Sequence, residues 1–225
     1  MRPLILINFK AYQETAGTRA SVLAELCERV ARTANAAIAV APPLPSLALV
    51  ASSVKIPVFS QHCDAADAGA FTGHVTAAGL AASRIHGSLL NHAERPIPLR
   101  TLARAVQQCR KHRLTTVVCA PSLRSISAIL SACTPDYIAY EPPALIGGSV
   151  SITTAKPGII TAAVQLLKKR RKGVRLLCGA GVKTRQDVQA ALRLGAAGVL
   201  VASAVVKAKD PERALRALVA HHAPR

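Results

Sequence analysis

The run Leu4-Ile5-Leu6-Ile7, close to the N-terminus, decides the fold class of this chain. All four residues are apolar and two are β-branched, which is typical of a β-strand. Because the apolar residues are consecutive and do not alternate with polar ones, we expect both faces of this strand to be buried. Strands of that kind belong to parallel sheets, in which the connecting helices cover the sheet.

Similar runs recur along the chain, with helix-like segments between them. The further runs are Ala37–Val40, Pro57–Phe59, Ile85–Leu90, Thr116–Cys119, Tyr137–Tyr140, Val174–Leu177 and Gly198–Val201. Apolar residues at helical spacing occur within 22–30, 99–106, 188–192 and 215–219, and Thr184 and Asp210 are suitable helix N-caps. Eight strands alternating with helices in 225 residues predict an α/β fold, a compact (β/α)8 barrel with short helices. A doubly wound open sheet is the alternative architecture.

The composition indicates one folded domain. Hydrophobic residues make up 51% of the chain and charged residues 18%, which excludes an intrinsically disordered protein. No linker or low-complexity stretch divides the sequence, so residues 1–225 are predicted to form a single domain. No apolar stretch approaches the ~18 residues of a membrane span, and the N-terminal segment is too short and polar for a signal peptide. The six cysteines form no C-x-x-C motif and predict free thiols in a reducing, cytoplasmic compartment.

Polar residues and glycines follow most of the predicted strands, where a barrel of this type places its active site. These segments are Asn8-Phe9-Lys10, Gln61-His62, Asn91-His92-Ala93-Glu94-Arg95, Glu141-Pro142-Pro143, Gly179-Ala180-Gly181 and Ala202-Ser203. Because the carboxyl ends of parallel strands meet at one rim, we expect these segments to converge there.

Four segments, in this order and spacing, resemble the triosephosphate isomerase family: Asn8-Phe9-Lys10, Asn91-His92-Ala93-Glu94-Arg95, Tyr140-Glu141-Pro142-Pro143 and Leu145-Ile146-Gly147. The segments Cys178-Gly179-Ala180-Gly181 and Val201-Ala202-Ser203 are similar to the archaeal branch of that family. The resemblance extends from Pro3 to about Leu218. It implies a TIM barrel that interconverts dihydroxyacetone phosphate and D-glyceraldehyde 3-phosphate in glycolysis and gluconeogenesis.

The resemblance also implies a role for each matching residue. Glu141 is the expected base, because a partly desolvated carboxylate has a pKa raised toward the working pH. His92 is the expected electrophile, kept neutral by a helix that begins close behind it. Lys10 is the expected cation, paired with Glu94. The implied catalytic residues are therefore Lys10, His92, Glu94 and Glu141, and the implied substrate-binding residues are Asn8, Phe9, Lys10, Ile146, Gly147, Gly181, Ala202 and Ser203. No metal or cofactor is expected.

Three positions depart from the family pattern. Ala93 replaces a serine between the histidine and the glutamate, and Ser203-Ala204 replaces Ser-Gly after the last strand. The loop that folds over the substrate reads Ile146-Gly147-Gly148-Ser149 where the family has Ile-Gly-Thr-Gly. The additional glycine gives the open loop more freedom, so we predict slower closure and slower turnover.

The charge is strongly positive, with 29 Lys and Arg against 11 Asp and Glu, a net charge of +18. Two runs stand out, 168–172 and 110–113, and basic residues at helix ends would account for the first. The alternatives are a basic nucleic-acid-binding protein and another phosphosugar enzyme on the same barrel. Aromatic residues make up only 3% of the chain and no nucleic-acid-binding motif occurs, so neither a nucleic-acid nor a membrane partner is expected.

The segment from Gln61 to His74 is long for a barrel loop. In the family this third loop projects into a neighbouring subunit. The resemblance therefore implies a homo-oligomer, a dimer or a tetramer.

Overall fold

Eight parallel strands form the centre of the molecule. The computed structural model describes residues 2–145 and 152–219, apart from the side chains of residues 152 and 154. The strands are β1 (Leu4–Asn8), β2 (Ala37–Ala41), β3 (Phe59–Ser60), β4 (Gly87–Leu90), β5 (Thr115–Ala120), β6 (Tyr137–Tyr140), β7 (Arg175–Cys178) and β8 (Gly198–Val201). Their order in the sheet is β2-β1-β8-β7-β6-β5-β4-β3, and all pairs are parallel.

The two edges of this sheet meet between β2 and β3. Val40 forms a parallel bridge with Val58, and its N–H donates to the carbonyl of Pro57 at 3.1 Å. The sheet is therefore a nearly closed (β/α)8 barrel, which confirms the predicted fold class over the open doubly wound sheet. All eight predicted strands are present, with ends shifted by a few residues. Pro57, which lacks an amide hydrogen, precedes β3 and is not part of it.

Helices of 4 to 14 residues surround the barrel. They are α1 (Arg19–Ala31), α2 (Leu47–Ser53), α3 (Ala77–Ala82), α4 (Leu99–Lys111), α5 (Leu123–Ala132), α6 (Ile152–Ala155), α7 (Pro157–Arg170), α8 (Arg185–Arg193), α9 (Ser203–Val206) and α10 (Pro211–Val219). Both predicted caps are confirmed. Thr184 forms a capping box with Asp187, and Asp210 accepts a hydrogen bond from the N–H of Arg213 at 2.9 Å.

The core has two layers because successive side chains of a strand point to opposite faces. In β1, Leu6 points into the barrel, whereas Ile5 and Ile7 pack against the helices. The interior layer consists of Leu6, Ala39, Ala41, Phe59, Leu89, Val117, Cys119, Tyr137, Ala139, Leu177 and Leu200. Both faces of the strands are buried, as the uninterrupted apolar runs predict. We call the carboxyl ends of the strands the C-terminal rim and the opposite end the basal face.

None of the helices in residues 2–145 and 152–219 is both long and apolar enough to cross a membrane.

Candidate active site

A cavity at the C-terminal rim brings together residues from β1, β4, β6, β7 and β8. Its lining consists of Asn8, Lys10, Tyr12, His92, Glu141, Gly179, Gly181, Val182, Lys183, Leu200, Val201, Ala202, Ser203 and Ala204. Seven of the predicted site residues are in this set, although they are distant in sequence. Glu94 lines an adjoining cavity, which also contains Lys10 and His92.

His92 and Glu141 face each other across the first cavity. His92 Nε2 lies 3.8 Å from Glu141 Oε2. Both residues are buried, with 8% and 5% of their surface exposed. The separation exceeds a direct hydrogen bond. The ring nitrogen of His92 and the carboxylate oxygen of Glu141 are thus close together but not hydrogen-bonded to each other.

Lys10 supplies the positive charge of the site. Its Nζ lies 2.6 Å from Glu94 Oε1, and its side chain is only 13% exposed. Its backbone has a positive φ of 49°, and its N–H donates to Asn8 Oδ1 at 2.9 Å. Gln61, from the segment after β3, donates to the Lys10 carbonyl at 3.0 Å. The loop that presents the ammonium group is therefore held by side chains on both sides.

The backbone around His92 fixes the tautomer of its ring. The N–H of Glu94 donates to His92 Nδ1 at 3.2 Å, so Nδ1 is an acceptor and the neutral ring has its proton on Nε2. Burial lowers the pKa of His92, and Lys10 adds to this effect while Glu94 opposes it. The imidazole is therefore neutral, and its Nε2–H points toward the cavity and Glu141.

The helix expected close behind His92 does not follow it directly. A turn follows the histidine, with the N–H of Arg95 donating to the His92 carbonyl at 2.8 Å, and α4 begins only at Leu99. Pro96 and Pro98 explain the delay, because each lacks an amide hydrogen and disfavours helical geometry in the residue before it. The Glu94 amide acts on the ring where a helix dipole was expected to act.

Glu141 is a buried carboxylate without a hydrogen-bond partner on Oε2 among the described residues. Burial raises its pKa to about 7, partly offset by the thiol of Cys119 and by Lys10. The side chain lies against the backbone of Gly179, where an added Cβ would lie 2.4 Å from Glu141 Cγ. A glycine at this position is therefore required for the observed carboxylate position.

Cys119 and Asn91 support the site, and sequence reasoning assigned neither a role. Cys119 is near the end of β5, points into the barrel and is close enough to Glu141 for each group to shift the pKa of the other. Asn91 donates from Nδ2 to the Cys119 carbonyl at 3.0 Å and accepts from the N–H of Ile97 at 3.0 Å. It has a positive φ of 58°. The loop that contains His92 is thus tied to the strand beside Glu141.

The opposite wall of the cavity is built from short loops and the first turn of α9. Gly181, Ala202 and Ser203 line it, as does Ala204, where the family has glycine. The amides of Val205 and Val206 donate to the Ala202 carbonyl at 3.0 Å, whereas those of Ser203 and Ala204, in the first turn of α9, have no acceptor within the helix and are available to an anion. Tyr12, Val182 and Lys183 also line this wall, and the signal that could have identified the last two is their position directly after Gly181.

Three predicted substrate contacts are not part of this cavity. Phe9 is fully buried in the outer core layer, so its side chain contributes to packing and does not face the site. The reason is the alternation along β1, which turns Asn8 and Lys10 toward the rim and Phe9 toward the helices. Ile146 and Gly147, together with Gly148 and Ser149, lie outside the described residues.

Residues 2–145 and 152–219 hold no group of three or more His, Cys, Asp or Glu side chains arranged to bind a metal ion.

Comparisons with known proteins identify the family of this chain. The family model for triosephosphate isomerase matches residues 3–220. The triosephosphate isomerase of Methanosarcina acetivorans is 40% identical over 217 residues, covering 96% of this chain and 97% of that protein. That of Methanocaldococcus jannaschii is 40% identical over 216 residues, covering 96% of this chain and 98% of that protein. That of Pyrobaculum calidifontis is 46% identical over 210 residues, covering 93% of this chain and 91% of that protein. The chain belongs to the triosephosphate isomerase family.

Proposed function

We propose that this chain interconverts dihydroxyacetone phosphate and D-glyceraldehyde 3-phosphate through an enediolate, with Glu141 as the base and His92 as the electrophile. The observation that carries the proposal is the pair formed by the buried Glu141 carboxylate, whose Oε2 has no hydrogen-bond partner among the described residues, and a neutral imidazole Nε2–H, 3.8 Å apart across one cavity. This isomerisation needs both groups at once. One removes a proton from carbon, while the other donates to the oxygen on which charge develops.

Proton transfer is the task of Glu141. With a pKa of about 7, its carboxylate is ionised in a large fraction of molecules at neutral pH and is more basic than an exposed glutamate. It takes the proton from C1 of dihydroxyacetone phosphate, and the C–H electron pair forms the carbon–carbon double bond of the enediolate. The same carboxyl group then returns the proton to C2. The proton of the C1 hydroxyl passes to the C2 oxygen by way of His92 Nε2, and the C1–oxygen bond becomes the carbonyl of the aldehyde.

His92 and Lys10 stabilise the negative charge that develops on the two substrate oxygens. The Nε2–H of His92 donates to the oxygens on C1 and C2, and Asn8 adds a hydrogen bond at the same edge. Lys10 provides a fixed positive charge while Glu94 holds its ammonium group in place, 2.6 Å away. Because these groups are positioned before the reaction, little reorganisation is needed when charge develops.

The phosphate group is placed on the opposite wall, at the amides around Gly181 and in the first turn of α9, which includes Ser203. The amide groups there favour a dianion. Ile146 and Gly147, which the resemblance assigns to substrate contact, lie outside the described residues.

The cellular setting is part of the same proposal. The chain acts as a single catalytic domain in glycolysis and gluconeogenesis, in the cytoplasm and as a homo-oligomer. All six cysteines are free and five of them are buried, which suits a reducing compartment. The segment after β3 supports the assembly, because it presents Phe71 at 46% exposure while Asp64 ties its two ends together, accepting from the N–H of Val75 at 2.7 Å.

A coupled isomerisation assay tests this proposal. We expect Glu141→Gln to lower kcat by about 10³-fold, within the range for loss of a positioned base. Glu14→Gln is the matched control, because Glu14 is an exposed glutamate outside the cavity, and its kcat should equal that of the wild type. Wild-type protein without isomerase activity, or a Glu141→Gln variant as active as the control, would contradict the assignment.

A further inference from the structure

The two basic runs of the sequence meet at the basal face, on the side of the barrel opposite the candidate active site. Arg110 and Arg113 lie at and just beyond the end of α4, and Lys172 lies just beyond the end of α7. All three line one cavity of about 400 Å³ below the start of β5, β6 and β7. More than 50 residues separate Arg113 from Lys172 in sequence, so only the fold brings them together.

A second cavity, of about 710 Å³, adjoins the first at the N-terminal mouth of the barrel. Its lining includes Arg84, Arg113 and Arg175, and the two cavities share Arg113, Leu114 and Thr115. We call the five cations Arg84, Arg110, Arg113, Lys172 and Arg175 the basal cluster. Arg113 stands where the two cavities meet, so the cluster forms a continuous positive surface.

Carboxylates are almost absent from this surface. Of the eleven Asp and Glu residues of the chain, all within the described residues, only Asp136 lines either cavity. Its Oδ2 already accepts hydrogen bonds from the N–H and Oγ1 of Thr116, at 2.8 and 2.9 Å. Within residues 2–145 and 152–219, no ion pair of 4.0 Å or less involves Arg110, Arg113 or Lys172.

Other members of the same runs have partners, which distinguishes them from the cluster. Lys111 forms an ion pair with Asp67 of the segment after β3. Arg170 donates to the hydroxyl groups of Ser127 and Ser131 on α5. These two cations stabilise the packing of neighbouring elements. Among the described residues, Arg110, Arg113 and Lys172 form no such ion pair.

Helix dipoles account for only part of the cluster. The C-terminal turns of α4 and α7 end at the basal face, and a cation in the last turn of a helix is stabilised there. Arg113 and Lys172 lie beyond those turns, and Arg175 is the first residue of β7. A helix end corresponds to about half a negative charge, so Arg110, Arg113 and Lys172 together exceed what two ends neutralise. The surplus is available to an anion.

The geometry favours a chain of linked phosphates over a nucleic acid. Single-stranded nucleic acids are bound through aromatic rings on which bases stack, as well as through cations. Beside the imidazoles of His86 and His112, the aromatic residues that line the two cavities in the described part are Phe59 and Tyr137. Both are buried, and the guanidinium group of Arg175 covers the Tyr137 ring at 4.1 Å. We propose that the basal cluster is a binding site for polyphosphorylated anions, with Arg113 bridging phosphate groups in the two cavities.

Calorimetry with inorganic tripolyphosphate tests this proposal at about 0.15 M salt, where attraction to distant surface charges is screened. The basal variant Arg110→Gln/Arg113→Gln/Lys172→Gln is compared with Arg100→Gln/Arg104→Gln/Arg213→Gln, which removes three exposed cations outside both cavities. We expect saturable binding to the wild type, at least tenfold weaker binding to the basal variant and unchanged binding to the control.

Each remaining result has a defined meaning. Equal affinity for ATP and tripolyphosphate assigns the site to the phosphate chain alone, and tighter binding of ATP assigns it to a nucleotide; both support the proposal. Equal weakening in the basal and control variants, or the absence of saturable binding, overturns it. Binding of a single-stranded RNA that tripolyphosphate does not displace also overturns it in favour of a nucleic-acid partner. Circular dichroism and unchanged isomerase activity verify that the basal variant is folded.

Discussion

The two ends of this barrel both concentrate cations, but they differ in what surrounds them. At the C-terminal rim, Lys10 is mostly buried, is paired with Glu94 and lies beside two buried titratable groups whose pKa values are shifted toward each other. At the basal face, Arg110, Arg113 and Lys172 are exposed around open cavities. The difference indicates that burial, not the number of charges, produces reactive groups, because desolvation is the main cause of the shifts at Glu141 and His92.

The largest expected difference between the two ends of the barrel comes from replacing one histidine at each end. His92→Gln removes the Nε2–H that faces the cavity, and we expect kcat to fall by about 10²- to 10³-fold, the usual cost of losing a donor to a developing oxyanion. His112→Gln alters a histidine of the basal face and should leave kcat unchanged. Steady-state kinetics of both variants measures the effect. A similar loss in both would mean that the histidines act through stability and not through chemistry.

Two glycines give the next largest contrast. Gly179→Ala places a Cβ where the Glu141 side chain now lies, so the carboxylate must move, and we expect kcat to fall by about 10²-fold. Gly173 of the basal face has a φ of +103° and open space around it. Gly173→Ala should therefore cost about 1 kcal/mol of stability with no change in kcat. Kinetics and thermal unfolding of both variants separate misplacement of the base from backbone strain.

The carboxylates of Glu141 and Asp136 allow the two ends of the barrel to be compared by their effects on stability. Burial raises the pKa of Glu141 to about 7, so the folded state binds its proton more tightly than the unfolded chain does. The resulting penalty is absent below the unfolded pKa, develops as pH rises through the interval up to about 7 and is complete above it. Glu141→Gln should therefore stabilise the protein at pH 8 by on the order of 2 kcal/mol, and have little effect near pH 4.

Asp136→Asn serves as the counterpart at the basal face. Asp136 has hydrogen-bond partners on Thr116, so this variant should lose about 1 kcal/mol of stability where Glu141→Gln gains it. Chemical denaturation of both variants at the two pH values provides the measurement. If Glu141→Gln were less stable than the wild type at pH 8, burial of the ionised Glu141 carboxylate would not cost stability, and this interpretation would be wrong.

The smallest expected effect concerns Cys119. Its thiol lowers the pKa of Glu141, so Cys119→Ala should raise that pKa. Since the reaction requires the ionised base, the acid limb of the kcat/KM profile should move to higher pH. Cys133→Ala, which alters a half-buried cysteine after α5, is the control and should leave the profile in place. A limb that moves to lower pH, or equally in both variants, would exclude the proposed contact.

Strand positions were predictable because uninterrupted apolar runs have one physical interpretation, burial on both faces. The residues after each strand then followed from the topology, since parallel strands present their carboxyl ends together. Phe9 was misassigned because the position of a segment does not say which face each of its residues takes. The helix expected close behind His92 does not follow it directly, since Pro96 and Pro98, which the dipole argument ignored, delay its start. Cys119 was missed because it ends an apolar run and has no polar residue beside it to attract attention.

By itself, the amino-acid sequence determined the eight strands, their parallel arrangement and the identity of the polar residues at the rim, because all three depend on local pattern and connection order. Only the tertiary structure decided the chemical state of those residues. The pKa of Glu141 and the tautomer of His92 depend on burial and on single contacts, with Gly179, Cys119 and the Glu94 amide, which come from distant strands or from one turn of backbone. The meeting of the two basic runs was likewise decided by the tertiary structure, because the ends of α4 and α7 come together only when β4 to β7 pair and α5 packs between the two helices.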